Sequence, residues 1–134
     1  MGISFEAGDE RYEIGSSSFL NAFTSTIGYH LENNELGSKY PLMKELLEGN
    51  LTWQDAEEAE KEALQIQKEL TKFSPDKIIW DCNDLSKRPP WGDNSSHITS
   101  LANYFVTSDG KDLFEVIFKV LNDSKRDEVD IEIN

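Results

Sequence analysis

The chain has 134 residues, 37% of them hydrophobic and 10% aromatic, which is enough to bury an ordinary core as a single domain spanning residues 1–134. Twenty-six acidic side chains against 13 basic ones leave a formal net charge of −13, which excludes nucleic-acid backbones and anionic membranes as favourable partners. Two interpretations stay open: a basic protein partner, or a solvated acidic surface that binds nothing.

The single cysteine and the start of the chain favour a cytoplasmic protein. Cys82 has no second cysteine with which to form an internal disulfide or a metal clip. Residues 1–6 lack the basic and apolar segments of a signal peptide, and no apolar run is long enough to span a membrane. Gly2 follows Met1, but Glu6 occupies the position where a myristoylation site has Ser or Thr.

The first third of the chain reads as a β-hairpin followed by two helices. Alternating apolar residues on both sides of a Gly-Asp turn at residues 8–9 predict the hairpin. Serines at 16–18 precede apolar residues spaced three and four apart, which predicts a helix over residues 17–32. Pro41 near the start and Gly49 just past the end delimit a second, short helix.

The rest of the chain predicts two longer helices and three further strands. Thr52 is the expected N-cap of a long helix that reaches Phe73, and an apolar stripe after Lys111 predicts the last helix. Strands are predicted at residues 78–80, 104–106 and 129–133, with a loop over residues 82–96. We therefore expect an α+β fold of two layers, with about four helices packed on a mostly antiparallel or mixed sheet.

No catalytic or cofactor site stands out. His30 and His97 are far apart and lack partners at metal-ligand spacing, and the Ser-Ser-His at residues 95–97 lacks the surrounding elbow motif of a serine hydrolase. The Gly-Ser-Ser-Ser at residues 15–18 is better explained as a helix cap than as an anion site. We predict no metal and no cofactor. The remaining enzymatic alternative is a small hydrolase or ligand-binding enzyme that uses loop carboxylates of Asp81, Asp84 and Asp109.

Two surfaces are candidates for binding a partner. On the long helix, Leu64 lies on the side opposite the apolar stripe, as does Glu57. Leu64 is either an isolated exposed leucine, a residue in a second intramolecular contact, or part of a partner surface. In the loop, Trp91 is either an interface anchor or a side chain that pins the loop to the core. We rank the loop first, because binding residues occur more often on loops than on regular elements. The candidate partner-binding residues are Asp84, Trp91, Asp93, Asp109, Glu57 and Leu64.

Several segments together resemble the bacterial immunity protein 70 family. They are YEIGSSSFL at residues 12–20, WD at 80–81, DLSKRPPWG at 84–92 and YFVTSDGKDLF at 104–114. The resemblance extends from Tyr12 to about Leu121 and fades in the acidic long helix. It implies an immunity protein of a polymorphic toxin system, which binds a toxin rather than catalysing a reaction, and it identifies no toxin-contacting residues.

The acidity of the chain agrees with such a function. Many toxin domains that attack nucleic acid carry a basic cleft, and an acidic protein can occupy that cleft and repel the substrate. We therefore predict a cytoplasmic, non-enzymatic antitoxin whose partner is a basic toxin domain, with a nuclease as the candidate, bound directly and stoichiometrically. The sequence does not fix the oligomeric state.

Overall fold

The computed structural model describes residues 2–33, 35, 37–74, 77–79 and 100–134. Over this part of the chain the fold is α+β with an antiparallel sheet and four α-helices, as the sequence predicts. In chain order the elements are β1 (Ile3–Ala7), β2 (Glu10–Gly15), α1 (Ser17–Leu31), α2 (Pro41–Leu47), β3 (Asn50–Leu51), a 3₁₀ helix (Trp53–Asp55), α3 (Ala56–Leu70), α4 (Leu113–Asp127) and β4 (Ile131–Ile133).

The sheet has the strand order β2-β1-β4-β3 and brings the two ends of the chain together. Directly opposed residues of antiparallel strands lie on the same face, so the register assigns the side chains to two faces. Phe5 is opposite Tyr12 and Ile133, and Ala7 is opposite Ile131. This face is the apolar one, and α4 lies against β1, β2 and β4.

The predicted hairpin and the predicted serine cap of α1 are confirmed, and an aspartate caps α4. Residues 8–9 form the turn between β1 and β2, and Ser16 caps α1 because its hydroxyl accepts a hydrogen bond from the Phe19 N–H at 3.0 Å. Asp112 caps α4 by accepting the Phe114 N–H at 3.3 Å. Burial raises the pKa of Asp112.

The long helix is shorter than predicted, and a distant residue caps its beginning. It opens with one 3₁₀ turn and ends at Leu70 rather than at Phe73. The Thr52 side chain makes no capping bond, because its hydroxyl donates to Asp55. The Trp53 N–H instead donates to the Asp130 carboxylate at 3.0 Å, across 77 positions of sequence.

Two predicted strands are wrong over the described residues. Ile78 and Ile79 form no strand, since both the N–H and the C=O of Ile79 bond to the Thr26 hydroxyl of α1; Trp80 lies outside the described residues. In residues 104–106, Val106 makes a single antiparallel bridge with Asp112 and joins no sheet strand.

An aromatic cluster explains why residues 104–106 do not extend into the sheet. The Phe105 ring packs edge-on against Phe23 and Phe19, with centroids 5.0 and 5.9 Å apart, and Phe23 packs in the same way on Phe114 of α4. Such pairs and the burial of whole rings favour a contact with helices over a place in the ladder. The sheet gains instead the two-residue strand β3, which the sequence analysis did not predict.

Candidate functional site

The histidine on α1 has a structural role in the described part of the chain. His30 Nε2 lies 2.7 Å from the Lys77 carbonyl oxygen, and its ring stacks on Phe73 with centroids 4.6 Å apart. Ser95, Ser96 and His97 lie outside the described residues. Within the described ranges, no group of three or more His, Cys, Asp or Glu side chains is arranged to hold a metal ion.

The chain is anchored on both sides of residues 80–99. Thr26 of α1 binds Ile79 through its hydroxyl, and the Leu101 N–H donates to the Phe73 carbonyl at 2.9 Å. The predicted loop candidates Asp84, Trp91 and Asp93 fall inside this range, as does Asp81, and they lie outside the described residues. Ile79, just before this range, is thus held on α1, and Leu101, just after it, is held on the turn that follows α3.

Asp109 stabilises a turn beside the start of α4. Its carboxylate accepts the Thr107 hydroxyl and lies 3.6 Å from Lys111 Nζ. Gly110 provides the positive φ of 84° that closes the turn. The Thr107 hydrogen bond, and then Lys111, lower the pKa of Asp109. A carboxyl group held in its ionised form beside a lysine is poorly suited to the acid–base role that the enzymatic alternative requires.

The outer face of α3 carries Leu64, which is 52% exposed as the helical phase predicts. The side chains one turn away are of both signs: Glu60 and Lys61 lie three to four positions before Leu64, and Lys68 lies four positions after it. Glu60 is paired with Lys125 of α4 at 3.1 Å. The surroundings of Leu64 are therefore close to neutral, although Glu57 is exposed one further turn away.

More than half of the net negative charge belongs to the two terminal segments of the sequence, which contain β1, β2 and β4 with their turns and the last residue of α4. Residues 2–15 contain four acidic side chains and one basic one, and residues 127–134 contain four acidic and none basic, so these segments carry seven of the 13 net negative charges. On the face of the sheet opposite the apolar one, Glu6 is directly opposite both Arg11 and Glu132. Like charges in directly opposed positions destabilise a sheet.

A cleft of about 320 Å³ opens between α1, the start of β1 and the end of α2. Leu20, Leu47 and Ile3 provide its apolar surface, and Ser17, Asn21 and Thr24 form a polar wall along α1. Glu48 lines it from the C-cap of α2, with a side chain that is 61% exposed and 3.6 Å from Lys44.

Two carboxylates from other helices fix α2, and with it Glu48. Glu62 of α3 accepts the N–H groups of Leu42 and Met43 at 3.1 and 3.0 Å, where the short helix has no side-chain cap of its own. Glu32, the C-cap of α1, accepts the N–H groups of Lys39 and Tyr40. The pKa of Glu62 is raised, chiefly by burial. The charge of Glu32 raises it further, and the two backbone hydrogen bonds oppose the shift.

Sequence reasoning found the exposed leucine of α3 and the turn at Asp109, but it missed this cleft. The sequence shows only separate parts of it: polar residues at helical spacing at positions 17, 21 and 24, and a glutamate just before Gly49. The cleft forms because α1, β1 and the end of α2 pack side by side, and no pattern within a short stretch of sequence predicts that packing.

No helix within the described ranges is long and apolar enough to cross a membrane. Comparison with known proteins gives one family match: the family model of immunity protein 70 matches residues 5–133. No curated protein and no solved structure gives a significant match. The matched segment runs from β1 to β4 and includes every helix described above, so the chain belongs to the immunity protein 70 family.

Proposed function

We propose that this protein is a cytoplasmic, non-enzymatic antitoxin that neutralises one cognate secreted toxin by binding it directly and stoichiometrically. The observation that carries the proposal is the family match over residues 5–133. Residues 1–134 would act as one immunity domain, with the sheet that joins the two chain ends as part of it.

The charge distribution supports a basic toxin as the partner. Seven of the 13 net negative charges belong to residues 2–15 and 127–134, which include β1, β2 and β4, so the field of the protein is uneven. An uneven acidic field steers a basic partner toward one side and raises the association rate at low salt. A nuclease fits this charge, because many nucleases bind the nucleic-acid backbone in a basic cleft.

The six residues proposed from the sequence remain candidates for the interface. Asp84, Trp91 and Asp93 belong to a segment whose ends are anchored by Thr26 and Phe73. Asp109 is exposed but already paired with Lys111, and Glu57 and Leu64 lie on an exposed face of mixed charge. Of these, the loop residues combine acids with an aromatic side chain, which is the composition that a lasting complex with a basic toxin needs.

Co-expression is the direct test of the proposal. The toxin to use is the variable C-terminal domain encoded by the reading frame next to the gene of this protein. We expect co-expression to restore growth and the purified proteins to form a complex of fixed stoichiometry. Toxicity that is unaffected by co-expression would refute the proposed function.

Salt dependence tests the electrostatic part separately. Replacing both Asp84 and Asp93 by Asn should slow association, most strongly at low ionic strength, because salt already screens exposed charges. Replacing both Glu45 and Glu115 by Gln is the matched control, since it removes the same two negative charges from exposed positions outside the six candidates. An association rate indifferent to salt and to the double substitution of Asp84 and Asp93 would remove the electrostatic steering and leave the antitoxin function standing.

A further inference from the structure

We propose that the cleft between α1 and the end of α2 receives a lysine or arginine side chain of the toxin. This inference rests on the proposed function and adds to it a contact surface and the chemistry of the group that the surface recognises. Among the described residues that the sequence analysis singled out, none of Glu57, Leu64 and Asp109 lines the cleft, so its lining adds new candidates.

The shape and lining of the cleft match a long basic side chain. Its volume of about 320 Å³ exceeds what one side chain occupies, and Leu20, Leu47 and Ile3 provide apolar surface for an aliphatic stem. Lysine and arginine bury such stems along apolar surface while the charged head stays near water or a counter-charge. Glu48 provides that counter-charge from its largely exposed position.

The helix ends favour a cation near Glu48. Glu48 is the C-cap of α2, where the unpaired carbonyl groups carry partial negative charge. Ser17, which also lines the cleft, belongs to the first turn of α1, where the partial charge is positive. The charged head is therefore expected beside Glu48 rather than beside Ser17, with the stem on the apolar lining.

The intramolecular partner of Glu48 does not block this contact. Lys44 lies 3.6 Å from Glu48 in an exposed pair four positions apart on one helix. Such pairs contribute little to stability because water and salt screen them. A basic side chain delivered by the toxin can therefore share or replace Lys44.

The acidic strands border the cleft on two sides. Gly49, the residue after Glu48, accepts the Ile133 N–H of β4 at 3.2 Å, and Asn50 is directly opposite Glu132. On the other side, Gly2 precedes the lining residue Ile3 and lies beside the Glu13 carboxylate. A toxin steered to the strands by charge thus meets an apolar-lined cleft at their edge.

The experiment compares two glutamates in matched surroundings. Glu48→Lys and Glu115→Lys each reverse one charge on a side chain that is 61% exposed, and each breaks one exposed pair between residues four apart, with Lys44 and Lys119 respectively. Lysine suits the end of α2 and does not suit the first turn of α4. Any loss of stability should therefore be greater for Glu115→Lys.

We expect Glu48→Lys to weaken binding of the purified toxin domain at least tenfold, and Glu115→Lys to change it less than threefold. Thr24→Trp narrows the cleft without changing charge and should also weaken binding, with its melting temperature measured as the test of folding. In a charge-swap series, replacing one toxin lysine or arginine by Glu should restore binding to Glu48→Lys and weaken binding to the wild-type chain.

Equal affinities of wild type, Glu48→Lys and Glu115→Lys would overturn the cleft contact while the antitoxin function stands. Parallel losses in Glu48→Lys and Glu115→Lys with no rescuing toxin residue would also overturn it, because long-range charge would then explain both. If the wild-type chain itself does not bind the toxin domain, the proposed function fails and the cleft contact with it.

Discussion

The Tyr12 hydroxyl donates a hydrogen bond to the Asp123 carboxylate and so joins β2 to α4 across 111 positions of sequence. Asp123 is buried, and its other oxygen lies 3.1 Å from the Arg126 guanidinium. The hydrogen bond to Asp123, followed by burial, raises the pKa of Tyr12 to about 12. An ionised phenol could not donate this bond and would face a carboxylate instead.

The stability of the protein at alkaline pH should therefore depend on Tyr12. A group whose pKa is raised on folding contributes stability that is complete below its unfolded pKa of about 10 and is lost as the pH rises through its folded pKa. Tyr12→Phe should cost about 1–2 kcal/mol at pH 8. Denaturant unfolding from pH 8 to 12 should show that the difference in the free energy of unfolding between wild type and variant decreases above pH 10. A difference in the free energy of unfolding that is independent of pH would show that the hydrogen bond does not raise the pKa of Tyr12.

The contact between Glu62 and α2 gives a second prediction. Pro41 has no N–H, and the N–H groups of Leu42 and Met43 both depend on Glu62. Glu62→Ala should destabilise the fold by about 1–2 kcal/mol, as loss of a helix cap does. Glu62→Gln keeps a carbonyl acceptor and removes a half-buried charge near Glu32, so its free energy of unfolding should stay within about 0.5 kcal/mol of wild type. Equal losses in the two variants, measured by urea unfolding, would contradict the capping role.

How far the sequence predicts this fold depends on whether a signal is local. Ser16, Asp112 and the apolar stripe of α4 act within one or two turns, and the structure has these features where the pattern predicts them. Glu62 and Asp130 cap elements 19 and 77 positions away, and no pattern within a window of sequence can show that. Residues 78–79 have the composition of a strand, but the Thr26 hydroxyl satisfies their backbone groups instead of a neighbouring strand.

The same distinction applies to the candidate site. The exposure of Leu64 follows from helical phase alone, and the structure confirms it. The neutral surroundings of Leu64 depend partly on Lys125, which comes from another helix. The cleft beside Glu48 needs α1, α2 and β1 together. Local patterns thus predict which side chains are exposed, whereas the tertiary fold decides which of them form one surface.

The opposed pair Glu6 and Glu132 predicts a variant that is more stable and less active. Glu132→Lys places a cation directly across from Glu6 on the open face of the sheet. A pair of opposite charges in this position is worth about 0.2–1 kcal/mol, so the melting temperature should rise slightly. The association rate with a basic toxin should fall, because the change removes two units of negative charge from the acidic strands. Glu45→Lys, on the exposed side of α2, provides the same change of net charge for comparison. An association rate above that of wild type, or one equal to that of Glu45→Lys, would contradict steering by the strands.

Trp91 allows the two interpretations of the loop to be separated by one substitution. If the indole is an interface anchor, Trp91→Ala should weaken the complex by about 2 kcal/mol or more, mainly through a higher dissociation rate. Removal of an anchor leaves the free protein intact, so the melting temperature should change little. If the indole instead packs on the core, truncation of a buried aromatic should cost about 3–5 kcal/mol of stability, with toxin affinity unchanged. Thermal unfolding of the free chain and surface-based kinetics with the toxin domain measure the two quantities independently. We expect the dissociation rate to rise at a nearly constant melting temperature, because a buried aromatic anchor contributes the lifetime of a complex that charge alone does not give.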